Sequence, residues 1–186
     1  DNNQTNTLIS LNNALLANYV KITIKQNYSL NKPLVIYNIT NKELDSTAIN
    51  LRTDITLEEN SSLKLINLAN DESTNNFFNI YQNFKIYKNA ILKNYKIDFN
   101  DNLNIKYFFN NIDLGNNGLA ETFVFSTGSK FIKNEINCNL NQEYSSAFIN
   151  GIINLDKSKH HEIKTNINHL AENTKSYQLI KCVLND

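Results

Sequence analysis

Apolar side chains recur along this chain in two rhythms. Leu8, Leu11 and Leu15 fall at helical spacing between Thr7 and Ala17, with Leu16 beside them, which predicts one short amphipathic helix. After Asn18 the period drops to two. Tyr19-Val20-Lys21-Ile22-Thr23-Ile24 alternates, and a second apolar segment, Leu34 to Ile39, follows the only proline, Pro33. Alternation of this kind marks strands with one buried face.

The strands then repeat. Polar, turn-like clusters occur near Asn31, Asn60, Asn89, Asn117, Tyr144 and Thr174, spaced by about 29 residues, a period that signals stacked repeats. Each cluster is followed by a strand-like segment: Leu34 to Ile39, Leu63 to Leu68, Ile91 to Phe99, Leu119 to Phe125, Ala147 to Leu155 and Tyr177 to Leu184. Midway between clusters lies a second family: Ile49 to Leu57, Phe78 to Tyr87, Leu103 to Leu114, Phe131 to Leu140 and His161 to Leu170. A meander of antiparallel hairpins would want Asn-Gly or Asp-Gly turns throughout. The chain has only four glycines, with one Asn-Gly before a strand (Asn117-Gly118) and one inside a strand (Asn150-Gly151). A parallel β-helix needs no such turns, because each coil returns to stack on the one before. Its columns also suit asparagine, whose stacked amides bond from coil to coil. The expected fold is therefore all-β, a parallel β-helix of about six coils with two strands per coil and a short N-terminal helix.

Composition sharpens this by exclusion. With 18 basic and 18 acidic residues the formal charge is zero, and Arg52 is the only arginine. Neither nucleic acid nor an anionic membrane surface is an expected partner, since both are held by concentrated positive charge. Asparagine is abundant, yet regularly spaced apolar residues at 41% of the chain oppose a disordered tract. No apolar run is long enough to span a membrane. The two cysteines, Cys138 and Cys182, form no C-x-x-C pair and no disulfide framework, which fits a reducing, cytoplasmic setting. There is no methionine, even at position 1, so the sequence is expected to be processed or a fragment.

The last stretch is the most specific. All three histidines lie in it: Lys159-His160-His161-Glu162, then His169-Leu170-Ala171, then Thr174-Lys175-Ser176-Tyr177-Gln178, then Lys181-Cys182-Val183-Leu184-Asn185-Asp186. Earlier pieces in order are Leu11-Asn12-Asn13-Ala14-Leu15, Lys32-Pro33-Leu34, the turn and strand from Phe123 to Ile136, and Ala147-Phe148-Ile149-Asn150-Gly151. Together they resemble the core of the SufB/SufD family, scaffold subunits of the SUF iron–sulfur cluster assembly complex, and are closer to SufD because SufB-type cysteine-containing insertions are missing. Lys133 stands where that family usually has Arg. The resemblance implies a right-handed β-helix and a non-enzymatic scaffold. It also implies a SufB-like paralogue and a SufC-like ATPase as partners, with the iron–sulfur cluster assembled by the complex and no cofactor bound by this chain. Residues 1–186 read as a single core lacking the family's flanking helical regions, so no catalytic, cofactor-binding or metal residue carries over. An extracellular β-helix, a polysaccharide lyase or adhesin, is the alternative. A lyase wants clustered carboxylates for calcium and a basic proton acceptor, and neither is visible.

Individual candidates read as structure. His161 and His169 share strand parity and His160 opposes them. They are eight residues apart, roughly 26 Å along a strand, too far for one ion. His169 is expected to face inward onto a backbone partner, and His160-His161 to form a coil corner. Cys138 and Cys182 are expected to be buried thiols acting as small hydrophobes. Gly128-Ser129-Lys130 lacks the first glycine of a phosphate loop and reads as a turn, as does Gly115-Asn116-Asn117-Gly118. Glu58-Glu59 and Asp71-Glu72 read as solvated strand ends. An open terminal coil at Asp186 would leave backbone donors and acceptors unpaired, predicting self-association.

Overall fold

The computed structural model describes residues 6–156 and 158–185, without the side chain of Asn70. Asp186, the last residue of the family-like run and the site of the expected open coil, lies outside them. Among the described residues, helix α1 (Thr7–Ala14) precedes twelve strands: β1 (Asn18–Ile24), β2 (Leu34–Thr40), β3 (Ala48–Leu57), β4 (Ser62–Asp71), β5 (Phe77–Ile86), β6 (Ile91–Asp98), β7 (Ile105–Leu114), β8 (Leu119–Ser126), β9 (Phe131–Leu140), β10 (Ser146–Asp156), β11 (His160–His169) and β12 (Lys175–Asn185). They form two six-stranded sheets, β1-β3-β5-β7-β9-β11 and β2-β4-β6-β8-β10-β12. All pairings within the sheets are parallel. This is a β-solenoid of about six turns, two strands per turn, as the alternation predicts.

Alternation builds the core directly. Successive side chains point to opposite faces of a strand, and parallel in-register pairing stacks one residue per coil into a column. One inward column runs Ile24, Leu57, Ile86, Leu114, Leu140, and a second runs Ile55, Phe84, Ile112, Cys138. Every member of both is buried. Each Leu or Ile so buried contributes about 1.5–3 kcal/mol relative to exposure, so the columns are the main cohesive element.

The corners fall where the asparagine spacing places them. Asn60, Asn89, Asn117 and Tyr144 take positive φ, as do Asn27 and Asn173, a few residues from the expected Asn31 and Thr174. No glycine does. Asparagine tolerates the left-handed region better than other non-glycine residues, and here its amide also links coils. Asn60 Nδ2 donates to Asn27 Oδ1, Asn89 Nδ2 to Asn60 Oδ1 and Asn117 Nδ2 to Asn89 Oδ1, each at 2.9 Å.

Helix α1 differs from its expected form. It stops at Ala14 rather than Ala17, because the Ala17 N–H already donates to Asn50 O (2.9 Å) and draws the chain into β1. Its buried residue is Asn12, while Leu15 is exposed. Asn6 caps it, accepting from Leu8 N and Ile9 N. Asn12 Nδ2 then donates to Leu51 O (3.1 Å) and Asn79 O (2.7 Å), and Asn79 Nδ2 donates back to Leu8 O (2.7 Å). The helix is fastened to the outside of β3 and β5 chiefly through amides, not through its leucine stripe.

Candidate functional site

The inward columns are not uniformly apolar. Toward the end of the strands in one sheet and the start of those in the other, four ionisable residues turn inward: Asp71 from β4, Lys96 and Asp98 from β6, and Lys106 from β7. Each shares parity with buried neighbours on its own strand, so the alternation that buries leucine carries these charges in as well. Lys106 sits in a column between Phe78 and Ile132. Its side chain is 1% exposed, and Nζ lies 2.5 Å from both Asp71 Oδ2 and Asp98 Oδ2. The expectation that Asp71 is a solvated strand end is therefore overturned. Asp71 falls on the inward parity of Leu63, Leu65 and Asn67, and its carboxylate meets a lysine from the opposite sheet. Glu58, by contrast, is solvated and pairs with Lys25 at 3.0 Å.

Lys96 is fully enclosed. Its Nζ donates to Asn134 Oδ1 (2.7 Å) and stands 2.9 Å from the centre of the Phe108 ring. Burial pushes its ammonium well below the usual lysine range, opposed by the nearby Asp98 and reinforced by Lys106. Amides continue the polar band: Gln82 Nε2 donates to Asn67 Oδ1 and Asn67 Nδ2 to Asn94 Oδ1, each at 2.8 Å. Beyond it, His161 Nδ1 lies 2.8 Å from Ser126 Oγ and Nε2 lies 2.8 Å from Ser129 O, with burial lowering the imidazole pKa. Gly128 is required beside this band. A Cβ there would overlap the Asp98 carboxylate and stand 2.6 Å from Asn100 O and 2.8 Å from Asn100 N.

The other sequence candidates separate. His160 stacks on Phe131 (5.0 Å, 9° between planes), and Glu162 pairs with Lys133 at 3.5 Å. His169 does not turn onto a backbone group. It is exposed, with Nδ1 2.6 Å from Thr174 Oγ1 and Nε2 3.0 Å from Ser176 Oγ. His169 continues the Leu140 column, but among the described residues β11 is an outermost strand of its sheet and no coil lies beyond it. The same placement exposes Cys182 on β12, against the expectation of a buried thiol. Cys138 is buried as expected, and burial pushes its thiol up to about 12. Among the described residues no three of His, Cys, Asp and Glu converge in a metal-holding group. Among those same residues no helix is long and apolar enough to cross a membrane.

The two outer faces differ in character. On the sheet containing β5, β7 and β9, Asn83, Asn111, Asn137 and Asn166 form a ladder, in which Nδ2 of each of the last three donates to the Oδ1 one coil before at 2.8–3.0 Å. On the other sheet two outward rows are apolar in their middle coils. Ile66, Tyr95 and Phe123 run side by side, as do Leu68, Ile97 and Phe125, all half-buried. Lys93 pairs with Glu121 (2.8 Å) at their margin.

The fold thus offers one polar and one largely apolar flank around a core in which four charged residues, Asp71, Lys96, Asp98 and Lys106, are enclosed. No curated protein matches the chain. Residues 37–186 match the family model of the SUF system FeS cluster assembly SufBD core domain. A parallel two-sheet solenoid matched over that span belongs to the SufBD core family, and the chain takes its place in SUF iron–sulfur cluster assembly.

Proposed function

We propose that the chain is a non-catalytic scaffold subunit of a SufBCD-like complex, of the SufD type. In this reading it works in the cytoplasm and holds no cofactor of its own. It pairs with a SufB-like paralogue and a SufC-like ATPase, and the cluster is cargo handled by the assembled complex. The observation that carries the reading is the family match, joined to a body whose uncovered apolar flank suits protein contact. Patches of this kind on a soluble domain mark interaction surfaces. The SufD assignment is supported by the even succession of coils, in which no cysteine-bearing insertion interrupts the strands.

The test is co-expression with a tagged SufB-like subunit and a SufC-like ATPase. Recovery of a stoichiometric three-part complex is expected. Failure to recover either partner under conditions where those two bind each other overturns the scaffold reading. A chain that pairs with a SufD-like subunit and not with a SufB-like one overturns the SufD assignment alone.

A further inference from the structure

Beside Asp71 lies a small, partly open cavity of about 20 Å³, whose inner wall is made by Asn67, Asp71, Lys96, Lys106 and the Phe78 and Phe108 rings and whose outer side reaches Leu68 and Ile97. Asp71 is its unbalanced member. Its side chain is 1% exposed. Oδ2 meets the Lys106 ammonium at 2.5 Å, which it shares with Asp98, while Oδ1 has no hydrogen-bond partner among the described residues. A buried carboxylate oxygen without a donor is costly, and native interiors almost always satisfy such groups with protein or ordered water.

We propose that this cavity binds one ordered water molecule, which donates to the Asp71 carboxylate and accepts from a lysine ammonium. The room suffices, since a water needs roughly 10–15 Å³ of such space and two to four polar partners. The partners are of both kinds. Asp71 supplies acceptors. Lys106 has three N–H groups, which face Asp98 and Asp71 and leave one over, and Lys96 bonds Asn134 with one of its own. A metal ion is the wrong occupant, because the Lys106 ammonium already places a positive charge between the two carboxylates.

A crystal structure of the chain at near-atomic resolution tests this. One density peak at hydrogen-bond distance from Asp71 and from Lys106 or Lys96 is expected. A cavity without density overturns the proposal, as does a metal ion in it. In solution, magnetisation transfer from a long-lived water to the Lys106 or Lys96 side-chain protons is expected, and its absence overturns the proposal. The rival way to satisfy Asp71 is a proton. An infrared carboxylic-acid band at neutral pH that disappears in Asp71→Asn would identify that proton and exclude the water. The crystal and magnetisation experiments use the unaltered chain, so the outcome does not depend on the variant folding.

Discussion

Replacing Lys106 by methionine removes the charge that joins two sheets while nearly preserving the volume of the side chain. Lys106 Nζ is 2.5 Å from both Asp71 and Asp98, and all three side chains are at most 5% exposed. Removing one partner of a buried ion pair costs about 3–5 kcal/mol, because the surviving charge stays desolvated and uncompensated. Two carboxylates are stranded here, which puts the expected loss near the upper half of that range. Lost packing adds little, since methionine fills the same space between Phe78 and Ile132. With a urea dependence of about 2.5 kcal/mol per molar, a loss of about 4 kcal/mol lowers the unfolding midpoint by roughly 1.6 M. The chain has no tryptophan, so far-UV circular dichroism is the appropriate probe. The triple variant Lys106→Met, Asp71→Asn, Asp98→Asn is expected to recover most of the loss, because no charge is then left unpaired. A Lys106→Met midpoint within about 0.3 M of the parent would refute the reasoning, as would a triple variant no better than the single one.

Asn89→Ala should lose about 1–2 kcal/mol from strain at φ 57°, plus the two ladder bonds to Asn60 and Asn117. Asn89→Gly should lose only the bonds, so urea midpoints in the order parent, Gly, Ala check both contributions. A thiol reagent such as DTNB at mildly alkaline pH should modify one cysteine per native chain, Cys182, and both after unfolding, since burial keeps Cys138 protonated. Two fast-reacting thiols in the native state would contradict the burial. Because burial lowers the His161 pKa, the unfolded chain, titrating near about 6.5, binds a proton before the folded one does. Its contribution to stability is present above that pH and is lost as pH falls through the folded value. The urea midpoint should therefore drop more on acidification in the parent than in His161→Gln, and equal drops would sink the assignment. Gly128→Ala should destabilise strongly because the overlap is with the Asn100 backbone, which cannot swing aside. Thermal unfolding checks it, and a melting temperature matching the parent would count against the clash.

The periodic part of this molecule was legible because it is local. Alternation and asparagine spacing placed the strands to within a few residues, and Phe131–Leu140 coincides with β9 at both ends. What sequence reasoning missed depends on which coil faces which. Asp71, Lys96, Asp98 and Lys106 each carry the inward parity of their strand, so the signal for burial was present. Yet nothing local says that a lysine of β7 meets carboxylates of β4 and β6, which belong to the other sheet. His169 and Cys182 were misplaced for the converse reason. Their parity is inward, but β11 and β12 are the outermost strands of their sheets, and parity cannot show that a column has no neighbour above it. The leucine spacing of α1 was real, but the fully buried residue of the helix is Asn12, a polar residue that no hydrophobic pattern singles out.

The asparagines at the corners impose a further condition. The two inner amides, Asn60 and Asn89, each receive from the following coil and give to the preceding one, so the row from Asn117 to Asn27 is a directed relay whose bonds all run the same way along the axis. Flipping one amide would set oxygen against oxygen on one side and nitrogen against nitrogen on the other. The row therefore reverses collectively or stays as it is, and it gives the rod a fixed polarity that belongs to its side chains as much as to its backbone.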